Sequence, residues 1–429
     1  MFESPRRSVR RAYSSPEELS RKPVNACYLV VSSLIPTVEC KGKMYRNSTR
    51  EWLPSVLICL TALLIAQALI AQRAAAQQQA CFSSAERACA EQTAKVYYVP
   101  DPGYDPALGY NPASTPRRGA PPVDANGRAK PIVCVANKDE TPGAGTTPKF
   151  HCSVPGVTGE DGNLIRYKIK PHFKGQSPDK RNGEIYGEFL SSRFSKALGF
   201  FADDAWVADV TCRDCEKSLT RSFQGASFAP FQPAAGIELP LARGFDVDCN
   251  NKDAAPLAES LQKLAQHNAT ARAEVDAFKL WLAFIDHGDT KTDNHKLACL
   301  KSRREGNARI CEPGYAAFYV GDMGSTFGYS RSSENKARLD VWRKKDPIEV
   351  SGGRCTANAK SVGDTTITEP GRRLLAEGLQ RLLDAEKRNG AITRVFEASR
   401  NAERDRPAAE WAAEFERKAR MIIDARCSN

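Results

Sequence analysis

Two short stretches hold the residue types that phosphoryl transfer needs. HGDTKTDN (287–294) sets out His287, Asp289, Lys291 and Asn294 in the order His-x-Asp-x-Lys-x-x-Asn, and GDMGSTFG (321–328) places Asp322 in an Asp-x-Gly. Moving a phosphoryl group to a hydroxyl takes a carboxylate that orients and deprotonates the attacking oxygen. It also takes amide and carboxylate oxygens that hold metal ions on the phosphates. Asp289 suits the first role, and Asn294 and Asp322 the second. Lys291, two residues past Asp289, can stabilise the group in transit. His287 reads as an organiser of its own loop and Asp293 as a solvated neighbour. Apolar runs lead into both motifs: FKLWLAFID (278–286) into the first and YAAFYV (315–320) into the second, where Gly324 permits a sharp turn.

The elements that must position these residues lie upstream. IRYKIKP (165–171) alternates apolar and polar residues as a half-buried strand does, and it carries Lys168 and Lys170 on one side. GEIYGEFLSSRFSKALGF (183–200) repeats Phe189, Leu190, Phe194 and Leu198 at helical spacing and carries Glu184 and Glu188. GVTGEDG (156–162) offers Gly156, Gly159 and Gly162. Gly162 reads as part of a hairpin turn, and the other two as turn residues or a phosphate cradle.

Taken together, these motifs resemble the protein-kinase-like superfamily. IDxxDxxxDN at 285–294 and VGDMGSTFG at 320–328 resemble its phosphatidylinositol kinase-like branch, with the HipA-like and CotH-like secretory kinases. The resemblance covers roughly residues 150–330 and the helical tail more loosely. It implies an α+β, two-lobed fold with a small β-rich N-lobe and a helical C-lobe. It implies ATP with Mg or Mn as cofactors, Lys170 on the α/β-phosphates, and Glu188 as the partner of that lysine in an "E…LG" pattern ending at Gly199. Lys168 and Glu184 are the alternatives. The gap from Asn294 to Asp322 is wider than in ordinary protein kinases, and CLKSRREGNARIC (299–311) reads as a hairpin inserted there.

The N-terminal region bears on compartment. LPSVLICLTALLIAQALIAQ (53–72) is apolar and uncharged, follows Arg46 and Arg50, and precedes Ala74-Ala75-Ala76. That is the layout of a secretory signal starting at Met44, with an uncleaved anchor tethering the chain to a membrane as the alternative. Residues 1–43 read as disordered or a mis-assigned start. Of 14 cysteines, 11 follow the apolar run, with Cys212–Cys215 the one CxxC. This usage fits disulfides in an oxidising compartment, periplasmic or secreted, better than a zinc site. Cys299–Cys311 is the favoured pair, Cys134–Cys152 and Cys81–Cys89 are further local ones, and Cys427 is the thiol left over from the odd number.

Net charge is +11, spread along the chain, and no nucleic-acid module is visible. Residues 97–130 are rich in Pro and Gly and read as a flexible spacer within a 77–130 linker. An N-lobe over 131–220 and a helical C-lobe over 221–429 follow. AWVADVTC (205–212) reads as a strand, residues 221–250 as a loop-rich crossover, and 255–270, 271–287, 371–388 and 407–425 as amphipathic helices. The expected function is an exported ATP-dependent phosphotransferase acting on a hydroxyl-bearing acceptor, most simply a protein. The competing readings are a small-molecule, lipid or glycan kinase of the same fold and an inactive pseudokinase scaffold.

Overall fold

The computed structural model describes residues 30–32, 35–37, 93–137, 149–159, 164–172, 181–214, 231–239, 241, 256–289, 294–305, 308–312, 314–328, 336–359 and 362–428. The chain divides into two units, Met1–Gln77 and Gln78–Asn429. In the first, β1 (Val30–Ser32) and β2 (Ile35–Thr37) pair antiparallel. The signal-like segment 44–76 lies outside the described residues, as do Cys81 and Cys89. Among the described residues no helix is long and apolar enough to cross a membrane.

The second unit is α+β. Five strands close a barrel in the order β3-β4-β5-β7-β6: β3 (Ile132–Ala136), β4 (Phe150–Thr158), β5 (Leu164–Lys170), β6 (Asp204–Arg213) and β7 (Phe231–Leu239). All neighbours are antiparallel except β3 and β6, which run parallel with Ile132 opposite Val210. The alternation in β5 sends Ile165, Tyr167 and Ile169 into the barrel interior with Phe150, Trp206 and Ile237. Lys168 and Lys170 are left on the opposite face. Thr158 pairs with Leu164, so the chain reverses between them, and Gly156 sits at φ 78° in an irregular stretch of β4.

Strand β7 corrects the expected loop-rich crossover over 221–250. Its sequence, FQPAAGIEL, is buried on both faces over most of its length, so it shows no period-2 signal. Pro233 and the positive φ of Ala234 lie where the β6–β7 register shifts, a place that tolerates a missing donor.

Residues 97–130, expected as a spacer, lie against the domain. Tyr98 donates to Lys196 O at 3.1 Å, Arg193 to Leu108 O at 3.2 Å, and Tyr167 to Gly119 O at 2.7 Å. Arg394 pairs with Asp105 at 2.8 Å. Arg117 also reaches Asp204 at 2.5 Å, and Asp204 takes a second cation, Lys196. Composition misleads here because tyrosines, arginines and turn-forming aspartates anchor a segment that has no periodicity.

The Asp204 cluster has a pH signature. Burial pushes the Asp204 carboxyl up, but Lys196 and Arg117 more than reverse this and hold it at about 2. Burial meanwhile pulls Lys196 below its ordinary value despite Asp204, so the pair is worth less than the aspartate alone implies. The aspartate is the better guide, because it bridges two cations. A depressed carboxyl contributes stability that is present above its unfolded pKa and lost as pH falls through the folded one. Asp204→Asn is therefore expected to cost roughly 3 kcal/mol near pH 7. The gap from wild type should close as pH falls from about 4 towards 2, as read by urea denaturation across that range.

The rest of the unit is mostly helical. Helix α1 (Gly183–Leu198) packs on the barrel and is followed downstream by α2 (Leu257–Ala265), α3 (Ala269–Phe284), α4 (Leu339–Trp342), α5 (Glu369–Asn389), α6 (Ala391–Ala398) and α7 (Ala408–Asp424). Asn182 caps α1 by accepting from Glu184 N–H, and Gly199 ends it at φ 92°. A continuous aromatic core joins α1 to α3 and α7: Phe194 stands 4.7 Å from Phe415, and Phe284 4.8 Å from Phe415. Helix α1 thus belongs to both halves, with Phe194 in this core and Ile185 against the barrel.

Between α3 and α4, β8 (His295–Cys299) pairs with β11 (Ala316–Val320). The hairpin expected over 299–311 is β9 (Ser302–Glu305) with β10 (Ala308–Cys311). A small sheet, β12 (Ile348–Ser351), β13 (Arg354–Ala357) and β14 (Thr366–Ile367), precedes α5.

Cys299–Cys311 is disulfide-bonded with Cα atoms 5.7 Å apart, and so is Cys134–Cys152 at 5.7 Å. Cys427 is not left over: it bonds Cys355, with Cα atoms 5.4 Å apart. Seventy-two residues separate these two cysteines, too far for any local pattern to join them. Cys212 is also bonded, and Cys215 lies outside the described residues. Replacing Cys299 and Cys311 together by serine is expected to cost about 3 kcal/mol, the entropy of a short loop. Chemical denaturation of variant and wild type, both kept oxidised, measures it.

Candidate active site

The site forms where the outer face of the barrel meets α1 and the 321–327 loop. Lys170 is the last residue of β5, opposite Gly236 of β7. A Cβ at Gly236 would stand 3.1 Å from both γ-carbons of Ile185, so the small residues of β7 let α1 lie close to the sheet. That packing brings Glu188 onto Lys170, and the two form a buried ion pair. Lys170 Nζ also lies 3.0 Å from Glu238 Oε1 and 3.7 Å from Asp322 Oδ1.

Helix α1 holds the Asp322 loop by close backbone approach. A Cβ at Gly187 would stand 2.6 Å from Gly324 O, and one at Gly324 2.9 Å from Glu184 Cβ. Only glycine fits on either side of this contact. Thr326 locks it, donating to Met323 O at 2.8 Å and lying 2.9 Å from Ser191 Oγ. Lys336, past the loop, pairs with Glu184 one turn before Glu188.

Residues 285–288 and Asn294 lie beside the same loop. Gly288 N–H donates to Ser325 O at 3.0 Å, Phe327 N–H to Ile285 O at 2.6 Å, and Gly321 N–H to Asn294 O at 2.7 Å. The β8–β11 register, His295 opposite Val320, sets Asn294 at the mouth of the strand pair from which Asp322 emerges. Asn294 is buried, and its Nδ2 has no hydrogen-bond partner among the described residues. Lys291 and Asp293 lie outside the described residues.

Electrostatics follow from this crowding. Burial pushes Asp322 up, but Lys170 and Lys168 outweigh it and hold the carboxyl well below the usual range. Burial lowers Lys170, yet Asp322, Glu188 and Glu238 together raise it well above its ordinary value. Glu188 goes the other way: burial and the neighbouring Glu238 raise it well above a normal carboxyl, against Lys170. Glu238 and Asp322 are each held by both Lys168 and Lys170, whereas Lys170 is the cation that opposes burial at Glu188, so Glu188 is the carboxyl of this cluster that moves towards the neutral form. His287 is buried and lowered by burial, with the charges of Asp289 and Asp322 opposing. A His287 lowered this way is neutral and a poor proton carrier at neutral pH.

Lys170, Glu188 and Asp322 thus meet directly, and the loop carrying Asp289 and Asn294 is hydrogen-bonded to the loop carrying Asp322. Glu238 was not among the sequence candidates, because it lies in the strand that pattern reading missed. Asp203 is another omission. It accepts from Leu241 N–H at 2.6 Å, and burial raises its carboxyl against Lys296. Among the described residues no group of three or more His, Cys, Asp and Glu side chains is arranged to hold a metal ion by itself. The Asp322 carboxylate and the Asn294 side-chain oxygen are the donor types that a divalent ion completes with phosphate and water oxygens. Asp322, held ionised, has the charge for such a contact, whereas the unpartnered Asn294 Nδ2 is a hydrogen-bond donor and could only meet an acceptor.

No protein-family model matches the chain, and no curated protein matches its sequence. Among solved structures, the Helicobacter pylori proinflammatory kinase CtkA aligns with a TM-score of 0.36 and 8% identity, over 68% of this chain and 94% of that chain. A likeness at that level carries no argument. The functional reading rests on the geometry above.

Proposed function

We propose that the chain is an ATP-dependent phosphotransferase that moves the γ-phosphoryl group to a hydroxyl acceptor, with a protein as the acceptor class. The observation that carries this is the meeting of Lys170 with both Glu188 and Asp322, residues from a strand, a helix and a loop far apart in sequence. A lysine on the third barrel strand, held by a glutamate on the next helix and facing an Asp-x-Gly aspartate, is the phosphate-anchoring arrangement of protein kinases. A two-lobed description follows, with the barrel and α1 as one lobe and the helical body as the other.

Residue roles follow from charge and position. Lys170, aimed by Glu188, binds the phosphate chain. Asp322 and Asn294 would hold Mg or Mn, which neutralises charge on the phosphates. Asp289 orients the acceptor hydroxyl and accepts its proton, while His287 fixes the loop. Lys291, outside the described residues, is assigned to the group in transit from its spacing after Asp289 alone. Export to an oxidising compartment is part of the proposal, and the disulfides support it. The test is calorimetric titration of the full chain with Mg-ATP and Mn-ATP, followed by transfer of labelled γ-phosphate to protein, lipid and glycan acceptors. Metal-dependent binding with protein labelling is the expected result. Binding without labelling of any acceptor turns the assignment to a scaffold, and no binding ends it.

A further inference from the structure

Lys168 and Lys170 stand two residues apart on the outer face of β5, so their side chains leave the sheet on the same side. One carboxylate holds both. Glu238 Oε2 lies 2.6 Å from Lys168 Nζ, and Oε1 lies 3.0 Å from Lys170 Nζ. The pairing of β5 with β7 sets Glu238 directly opposite Lys168. Glu238 is buried at 6% exposure, whereas the Lys168 side chain keeps 24%. Lys168 is therefore the more exposed of the two lysine side chains, since Lys170 keeps only 2%. Lys149, just before β4, is a third cation in electrostatic contact with both lysines and Asp322.

We propose that Lys168 and Lys170 form a two-lysine clamp for the phosphate chain of the nucleotide, with Glu238 the counter-ion that both surrender when that chain arrives. Two ammonium groups this close repel unless an anion bridges them. Glu238 supplies that anion. Phosphate oxygens, which accept charge-assisted hydrogen bonds from several donors at once, can replace it. Lys170 alone is already committed to Glu188, so the clamp gives the chain of phosphates a cation not tied to α1. Glu238 is then a positioning residue that keeps the two ammonium groups together and ready. This inference rests on the phosphotransfer reading and adds a residue pair to it.

The experiment is titration of the full chain with inorganic tripolyphosphate, ATP and adenosine, with and without magnesium. Wild type is compared with Lys168→Met, Lys168→Arg, Glu238→Gln and Lys170→Met. Lys168→Met is expected to weaken tripolyphosphate and ATP by about tenfold, with adenosine unchanged. Lys168→Arg retains most of the affinity. Glu238→Gln keeps the shape but removes the competing charge, so magnesium-free tripolyphosphate binds severalfold more tightly. If Lys170→Met weakens ATP while Lys168→Met does not, the clamp is wrong and the Lys168–Glu238 pair is structural. Should Lys168→Met fail to fold, unchanged tripolyphosphate affinity in Glu238→Gln overturns the clamp equally well. A wild type that binds neither ATP nor tripolyphosphate overturns both the clamp and the phosphotransfer reading.

Discussion

Asp322→Ala is expected to abolish metal-dependent nucleotide binding while leaving the fold intact. The wild-type carboxylate is held ionised by Lys170 and Lys168 even though burial opposes it, which is the condition for a group that must meet a cation. Removing it leaves Lys170 still paired with Glu188 and Glu238, so no charge is stranded. The loop backbone is fixed independently by Thr326 and by the Gly187–Gly324 approach. Calorimetry with Mg-ATP and Mn-ATP should therefore show heat for wild type and none for the variant, with unchanged circular dichroism. A variant that binds Mg-ATP as wild type does would remove Asp322 from the site.

Asp289→Asn is expected to separate binding from turnover. The loop that carries it is tied to the 321–327 loop through backbone groups, Gly288 to Ser325 and Gly321 to Asn294. An isosteric change leaves those bonds in place. What goes is the proton acceptor and its charge, worth about 10²–10⁴-fold in a general-base step. Nucleotide affinity should stay within about twofold of wild type, while the rate of phosphoryl transfer falls by orders of magnitude. Equal losses in affinity and rate would mean that Asp289 holds the loop and does not act on the acceptor. Neither result depends on knowing the natural acceptor, since slow transfer to water serves as the readout.

The sequence was most informative where one face of an element meets the core and the other does not. IRYKIKP alternates because Ile165, Tyr167 and Ile169 enter the barrel and the lysines do not. The helices near 371–388 and 407–425 show their apolar spacing for the same reason, whereas α1 is buried on nearly every side. Strand β7 hid itself, since burial on both faces erases alternation and its small residues are chosen for the helix above it. Glu238 went unnoticed with it. The partner of Cys427 was out of reach because the helices between it and Cys355 bring the two together. The motifs around Asp289 and Asp322 stood out for a different reason: polar residue types at fixed short spacing can be read without knowing what is buried.

The Cys355–Cys427 bridge also divides the domain by how it opens. Helices α5, α6 and α7 all lie inside the covalent loop it closes. Loop-closure entropy of about 4 kcal/mol is thereby withheld from their unfolded chain, and neither of the other two bridges between described cysteines encloses β5, α1 or the 321–327 segment. Amide hydrogen exchange should accordingly be slowest in the looped helices. The elements that carry Lys170, Glu188 and Asp322 should exchange sooner, through openings that leave the helical body closed. The bridge thus anchors a rigid base against which the elements around Lys170 are free to breathe, and reducing it should bring the two rates together.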